Sequence, residues 1–126
     1  SAGGKTCDLE QVTMAPECRY AAIYLTPRDK EKTLADAKKI LVTAIARARN
    51  TGMKIYADNV VLAKGKAPVL MEPVKAAIKL KRKGSAKVRI LDHDGGGTDR
   101  SVPVENGAFT IDGARDRTCY YLVEFE

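Results

Sequence analysis

Val102-Pro103-Val104-Glu105-Asn106-Gly107-Ala108-Phe109-Thr110-Ile111 is the stretch that decides how this chain is read. Asn-Gly readily takes up the two positive-φ positions of a type I′ turn, and apolar residues alternate with polar ones on both sides of it. The stretch therefore reads as a β-hairpin. Just upstream, Val88-Arg89-Ile90-Leu91 is another strand-like run, closed by the turn sequence Asp92-His93-Asp94-Gly95-Gly96-Gly97. The two turns together predict a three-stranded meander, and the run at residues 118–125 extends this series of strands across residues 87–126.

The same habit recurs toward the N-terminus. Short runs rich in β-branched and aromatic residues, broken by Gly, Pro, Asn and Asp, occur at residues 6–13, 20–26, 53–57, 60–63, 69–74, 76–81, 87–91, 101–104, 108–111 and 118–125. This pattern predicts an all-β protein, a two-sheet antiparallel β-sandwich of immunoglobulin-like or jelly-roll type with about 8 to 10 short strands. The chain reads as a single domain, with residues 1–19 forming an N-terminal strand and loop segment and residues 20–126 the sandwich. Pro68 and Pro73 each remove a ladder donor, so the strand between them belongs on an edge or changes sheets. Alternation assigns Phe109, Tyr121 and Phe125 to the core.

Residues 33–50 resist a single reading. Leu34, Ala37, Leu41, Ala44, Ile45 and Ala48 recur at helical spacing, with Thr33 and Asp36 as a near capping box and Gly52 past the end. Yet Ile40-Leu41-Val42-Thr43-Ala44-Ile45 is a continuous apolar and β-branched run that suits a strand buried on both faces. Periodicity alone leaves helix and strand both open.

Composition bounds the rest. With 126 residues, 44% hydrophobic and 30% charged, the chain can bury one core and is too apolar to be disordered. No apolar run approaches the roughly 20 residues of a membrane span, and Ser1-Ala2-Gly3-Gly4 lacks both the charged and the apolar region of a signal peptide. The missing initiator Met suggests a processed protein or a piece of a longer one. The net charge of +6 is a mild excess whose one concentration is Lys75, Lys79, Lys81, Arg82, Lys83, Lys87 and Arg89. Lysines alternating with Ile78 and Leu80 read chiefly as a solvated sheet edge, because nucleic-acid readers interleave such charge with stacking aromatics and none lies here. Of the three cysteines, Cys7 and Cys18 can close a small loop in an oxidising compartment or remain free, and Cys119 reads as a small buried hydrophobe.

A family resemblance bears on the ambiguous segment. Ala21-Ala22-Ile23-Tyr24-Leu25, the run Asp36-Ala37-Lys38-Lys39-Ile40-Leu41-Val42-Thr43-Ala44-Ile45-Ala46-Arg47-Ala48 and Asn50-Thr51-Gly52-Met53 resemble the accessory β-sandwich appended to the C-terminal side of catalytic barrels in bacterial glycoside hydrolases. Pro68-Val69-Leu70-Met71-Glu72-Pro73-Val74, Val88-Arg89-Ile90-Leu91-Asp92, Phe109-Thr110-Ile111-Asp112-Gly113 and Tyr120-Tyr121-Leu122-Val123-Glu124-Phe125 are similar to the closing strands of such domains. The resemblance implies that residues 38–48 are a long strand, that the natural protein is larger, and that its catalytic carboxylates lie elsewhere. Residues 7–18 and the basic loop at residues 81–83 depart from the family pattern.

The expected function is accordingly a non-catalytic accessory domain of a secreted or periplasmic bacterial glycoside hydrolase. Its partner would be a polysaccharide or the catalytic domain of the same chain, with no membrane contact. The acidic residues fall mostly in turns, and the only His, His93, has no nucleophile beside it, so no catalytic group can be assembled. Sugar binding would use exposed aromatic rings, and Tyr20, Tyr24, Tyr56 and Tyr120 are the candidates. No cofactor is expected, although Asp92, Asp94 and Asp99 around a glycine turn have the alternating oxygens of an incomplete calcium loop. Two other classes fit the strand pattern, an extracellular adhesion or scaffold sandwich and a basic nucleic-acid-binding β domain.

Overall fold

The computed structural model describes residues 4–56 and 60–126, and among them the chain is almost wholly strand. The strands are β1 (Cys7–Asp8), β2 (Val12–Pro16), β3 (Ala22–Pro27), β4 (Lys39–Ile45), β5 (Ala48–Thr51), β6 (Lys54–Ile55) and β7 (Val61–Ala63). They continue as β8 (Lys66–Met71), β9 (Lys75–Leu80), β10 (Ala86–Leu91), β11 (Gly97–Val102), β12 (Ala108–Asp112) and β13 (Tyr120–Phe125), with one helical turn, α1 (Gly113–Asp116). A four-stranded sheet runs β1-β2-β9-β12 and a five-stranded sheet runs β11-β10-β13-β4-β3, while β5-β8 and β6-β7 form two ribbons. Every pairing is antiparallel. The fold is thus an all-β antiparallel sandwich, with thirteen strands where the sequence suggested fewer.

Alternation explains the two inner faces. Ile40, Val42 and Ala44 of β4, Tyr121 and Val123 of β13 and Val88 and Ile90 of β10 are buried from one side. Val12 of β2, Ala76, Ile78 and Leu80 of β9 and Phe109 and Ile111 of β12 meet them from the other. Each large side chain so buried contributes about 1.5–3 kcal/mol, which is why two facing sheets need no metal to hold them.

Residues 39–45 are strand, and the physical reason is visible at both ends of the ambiguous segment. The helix-start chemistry is real: the Thr33 N–H donates to Asp36 Oδ1 at 2.6 Å and the Ala37 N–H to the Thr33 carbonyl at 2.9 Å. It makes one turn only. Beyond it the β-branched run gains more from burying every second residue between β3 and β13 than a helix would from one apolar stripe.

The Asn106-Gly107 turn forms as read, with φ of 50° and 75° and reciprocal backbone bonds between Glu105 and Ala108 at 2.9 and 2.8 Å. The expected three-stranded meander does not form. β11 pairs with β10 in one sheet and β12 with β9 in the other, so the turn is a corner between sheets rather than a hairpin within one. The corner sits so close to β9 that a Cβ on Gly107 would lie 2.9 Å from the Leu80 carbonyl oxygen. Within residues 4–19, β2 lies between β1 and β9 and Val12 joins the core. Cys7, Cys18 and Cys119 are free, so the Cys7–Cys18 bridge is not formed in this structure.

Two polar clusters close the sandwich. Arg82 donates to the carbonyls of Leu34 and Ala37 and lies 3.7 Å from the Phe125 ring centroid, tying three distant segments together. Asp116, only 3% exposed, accepts from Arg115 at 2.6 and 2.8 Å and from the Tyr121 hydroxyl at 3.0 Å. Burial is the largest single influence on Asp116 and raises its pKa, but the bonds from Arg115 and Tyr121 with the Arg115 charge outweigh it, so the carboxyl titrates below its ordinary value. Burial, and then the bond to Asp116, push the Tyr121 hydroxyl up.

Because the folded-state pKa of Asp116 lies below its unfolded value of about 3.9, its stabilising contribution is complete above that pH and is lost as pH falls through the folded value. Asp116→Asn should therefore lose about 2–3 kcal/mol at pH 7 and show a smaller further loss on acidification to about pH 3 than the parent. Urea denaturation at both pH values measures this, and parallel acid losses in the two proteins would contradict it.

Candidate docking arm and tyrosine face

Between β4 and β9 the described residues 46–56 and 60–72 leave the sandwich as a two-stranded arm. β5 pairs with β8 from Ala48↔Met71 to Thr51↔Lys66, and β6 pairs with β7 further out. The root is closed by the Glu72 N–H donating to the Arg47 carbonyl at 2.9 Å and by an Arg47–Glu72 ion pair at 3.2 Å. Midway, Asn50 Nδ2 donates to the Lys64 carbonyl and Thr51 Oγ1 to the Pro68 carbonyl. Gly65, at φ 67°, passes so close that a Cβ there would meet the Thr51 carbonyl oxygen at 2.5 Å. Pro68 is accommodated as expected, because β8 has a neighbour on one side only.

No described residue of the arm is buried. Seven of the eleven large hydrophobic side chains exposed among the described residues lie on it: Tyr56, Val60, Val61, Leu62, Val69, Leu70 and Met71. Leu62 is 65% exposed and Val69 64%, values foreign to a core strand. Ile45 and Tyr20 continue the exposure at the root. A two-stranded ribbon is marginal in water by itself, and here alternation along β7 and β8 spreads these exposed apolar side chains over both of its faces.

The four tyrosines proposed for sugar stacking fall in three places. Tyr24 on β3 and Tyr120 on β13 both register with Thr43 on β4, so they share the outer face of the five-stranded sheet, two strands or about 10 Å apart. Tyr120 also lines a shallow depression of about 210 Å³ with Arg28, Leu41, Leu91, His93 and Asp94. Tyr20 is not brought to that row: the guanidinium groups of Arg47 and Arg19 lie 4.6 and 5.4 Å from its ring centroid, in the space a stacked sugar would need. Tyr56 stands on the arm.

The three carboxylates of the calcium reading are not brought together. Asp92 Oδ1 accepts from the Asp94 and Gly96 N–H groups of its own turn at 3.0 and 2.7 Å, and Asp99 lies on β11. Among the described residues no three His, Cys, Asp or Glu side chains converge. The basic cluster is likewise dispersed. Lys75 pairs with Glu17, Lys81 with Asp8 and Arg89 with Glu124, Arg82 serves the backbone, and Lys79 and Lys87 point from the outer faces of different sheets. Asp116, the one buried carboxylate among the described residues, is committed to structural partners, and His93 meets only Asp94, at 3.4 Å on the surface.

The arm was the feature least legible in the sequence, since residues 60–63 and 69–74 read as ordinary sandwich strands. The signal was that Val60-Val61-Leu62 and Val69-Leu70-Met71 are unbroken apolar runs without alternation, beside a Pro and a Gly. Compared with protein-family models, with curated proteins and with solved structures, the chain matches none.

Millimolar calcium should leave the melting temperature unchanged within about 1 °C, because a protein without converging ligands gains no binding free energy on folding. A calcium-dependent rise of several degrees, monitored by circular dichroism, would support the site at Asp92, Asp94 and Asp99.

Proposed function

We propose that this chain is a non-catalytic accessory domain of a secreted or periplasmic polysaccharide-degrading glycoside hydrolase, and that it works by packing against the catalytic domain of the same polypeptide. The observation that carries the packing role is the arm: exposed apolar side chains on a paired ribbon with no core of its own. The hydrolase part rests on the sequence resemblance spread along residues 21–125 and on the sandwich fold that it implies. A scaffold sandwich without an enzyme partner would have no need to keep Leu62, Val69 and Leu70 in water. Nucleic-acid binding has less support, because the basic cluster is split between faces and three of its seven members are ion-paired within the chain.

Sugar binding is a second reading, favoured by one arrangement: the row Tyr24, Thr43 and Tyr120 beside the depression that holds Arg28 and Asp94. There the Leu41 and Leu91 side chains offer an apolar floor, with charged donors and acceptors at the rim.

The complete reading frame, expressed with and without residues 1–126, separates these roles. Packing predicts that removal lowers the melting temperature of the catalytic domain by about 5 °C or more, by loss of a stabilising partner. An unchanged melting temperature, together with retention of the isolated chain on insoluble glucan, xylan or mannan that Tyr24→Ala abolishes, would replace packing with the binding module. A reading frame with no catalytic domain would remove the proposal altogether.

A further inference from the structure

The two sheets of the sandwich have four edges, β1, β12, β11 and β3, and three of them are blunted. β1 is two residues long. β11 carries Asp99 and Arg100 and loses register with β10 between Arg89 and Leu91. β12 covers its own outer side: Ala108 exchanges backbone bonds with Glu105, the Thr110 carbonyl accepts from Arg115 Nη2 at 3.3 Å, and the Asp112 N–H donates to Asp116 Oδ2 at 3.4 Å. Brevity, charge, bulges and side-chain cover are the devices that keep a sheet edge from pairing with another chain. β3 has none of them. Ala22-Ile23-Tyr24-Leu25-Thr26-Pro27 is uncharged and pairs with β4 in unbroken register, and among the described residues no strand lies on its other side.

The ladder fixes what that edge offers. Arg28 donates to the Lys39 carbonyl at 2.8 Å, so the bonded pairs between β3 and β4 are Arg28 with Lys39, Thr26 with Leu41, Tyr24 with Thr43 and Ala22 with Ile45. The N–H and C=O groups of Ile23 and Leu25 therefore point away from β4, spaced for another extended backbone. Beside them a cleft of about 190 Å³ opens between β3 and the β1–β2 side of the other sheet, lined by Cys7, Met14, Pro16, Ala21 and Ile23.

We propose that the β3 edge pairs antiparallel with the β3 edge of a second copy of this chain, with Tyr24 opposite Tyr24, joining the two five-stranded sheets into one. In this register Ile23 of each copy bonds Leu25 of the other, which satisfies the outward N–H and C=O groups of both residues in both copies. Leu25 of the second copy then stands beside Ile23 on the inner face, where its aliphatic side chain covers the cleft that Ile23 lines. Tyr24, 57% exposed, falls in a non-bonded pair, the kind in which side chains approach most closely, and the two rings cover one another. Sliding by two residues one way sets Pro27 opposite Ile23 and loses a ladder donor, and sliding the other way sets Tyr24 against Ala22, with no ring to cover it. Copies of a chain with net charge +6 repel one another, and a strand without charged residues is where two of them can meet. The contact uses β3 rather than the arm, so it holds whether or not the arm packs against another domain.

Sedimentation equilibrium of residues 1–126 between about 5 and 500 μM should show a monomer–dimer equilibrium. Tyr24→Lys and Tyr24→Glu each set like charges opposite one another and should weaken self-association by about tenfold or more, with the parent's melting temperature retained. Their equimolar mixture should recover the dimer as a heterodimer, because residue 24 faces residue 24. In the parent, without any substitution, amide exchange at Ile23 and Leu25 should slow as concentration rises. A parent that stays monomeric over the whole range, or whose Ile23 and Leu25 amides exchange at a constant rate while it dimerises, would overturn the proposal. A dimer undiminished in both variants would place the contact on another surface and overturn it equally. Two monomeric variants whose mixture stays monomeric would overturn the register centred on Tyr24.

Discussion

Everything in this molecule depends on the inner faces of its two sheets being held against one another. β9 brings Ala76, Ile78 and Leu80, β13 brings Tyr121 and Val123, and each of these strands is hydrogen-bonded on both sides, so the middle of the sandwich has no open ladder. Two local features are consequences of that apposition. Tyr121 can fill the core only because Asp116 receives its hydroxyl, and Asp116 can be buried only because Arg115 caps it. The positive-φ corner at Asn106-Gly107 then lets the chain pass from one sheet to the other beside Leu80.

Sequence reading recovered features governed by nearest neighbours. Asn106-Gly107 sets its own turn type wherever it stands, and alternation was enough to put Phe109 and Tyr121 inside. It did not recover what depends on pairing across long separations. Nothing in Ala108-Phe109-Thr110-Ile111 says whether its neighbour will be β11, a few residues back, or β9, some thirty residues earlier. Residues 33–50 show the same limit, since Thr33 and Asp36 do begin a turn and only the flanking β3 and β13 make Ile40 and Val42 a strand. The candidate site was half legible. Tyr24 and Tyr120 share a face as strand parity allows, but that Arg47 would occupy the ring of Tyr20 is a tertiary fact.

The arm is where local pattern and global role diverge most. Apolar, β-branched sequence normally means core, yet Val69 and Leu70 stand in water because both neighbours of the arm in the chain, Ile45 and Lys75, are anchored in different sheets and the ribbon between them has nothing to fold onto. A protein keeps such a surface when another surface covers it. On the packing role proposed above, the sandwich is a platform whose stability resides in the core, and the arm is a projection that contributes little to folding.

That separation can be measured directly. Glu72 already donates to the Arg47 carbonyl, so residues 48–71 can be replaced by Asn-Gly without opening the root. The shortened chain should unfold cooperatively in calorimetry within about 5 °C of the parent, since none of the described residues removed is buried. A shortened chain that fails to fold, or melts tens of degrees lower, would mean that the arm belongs to the core of this protein and is not a docking surface.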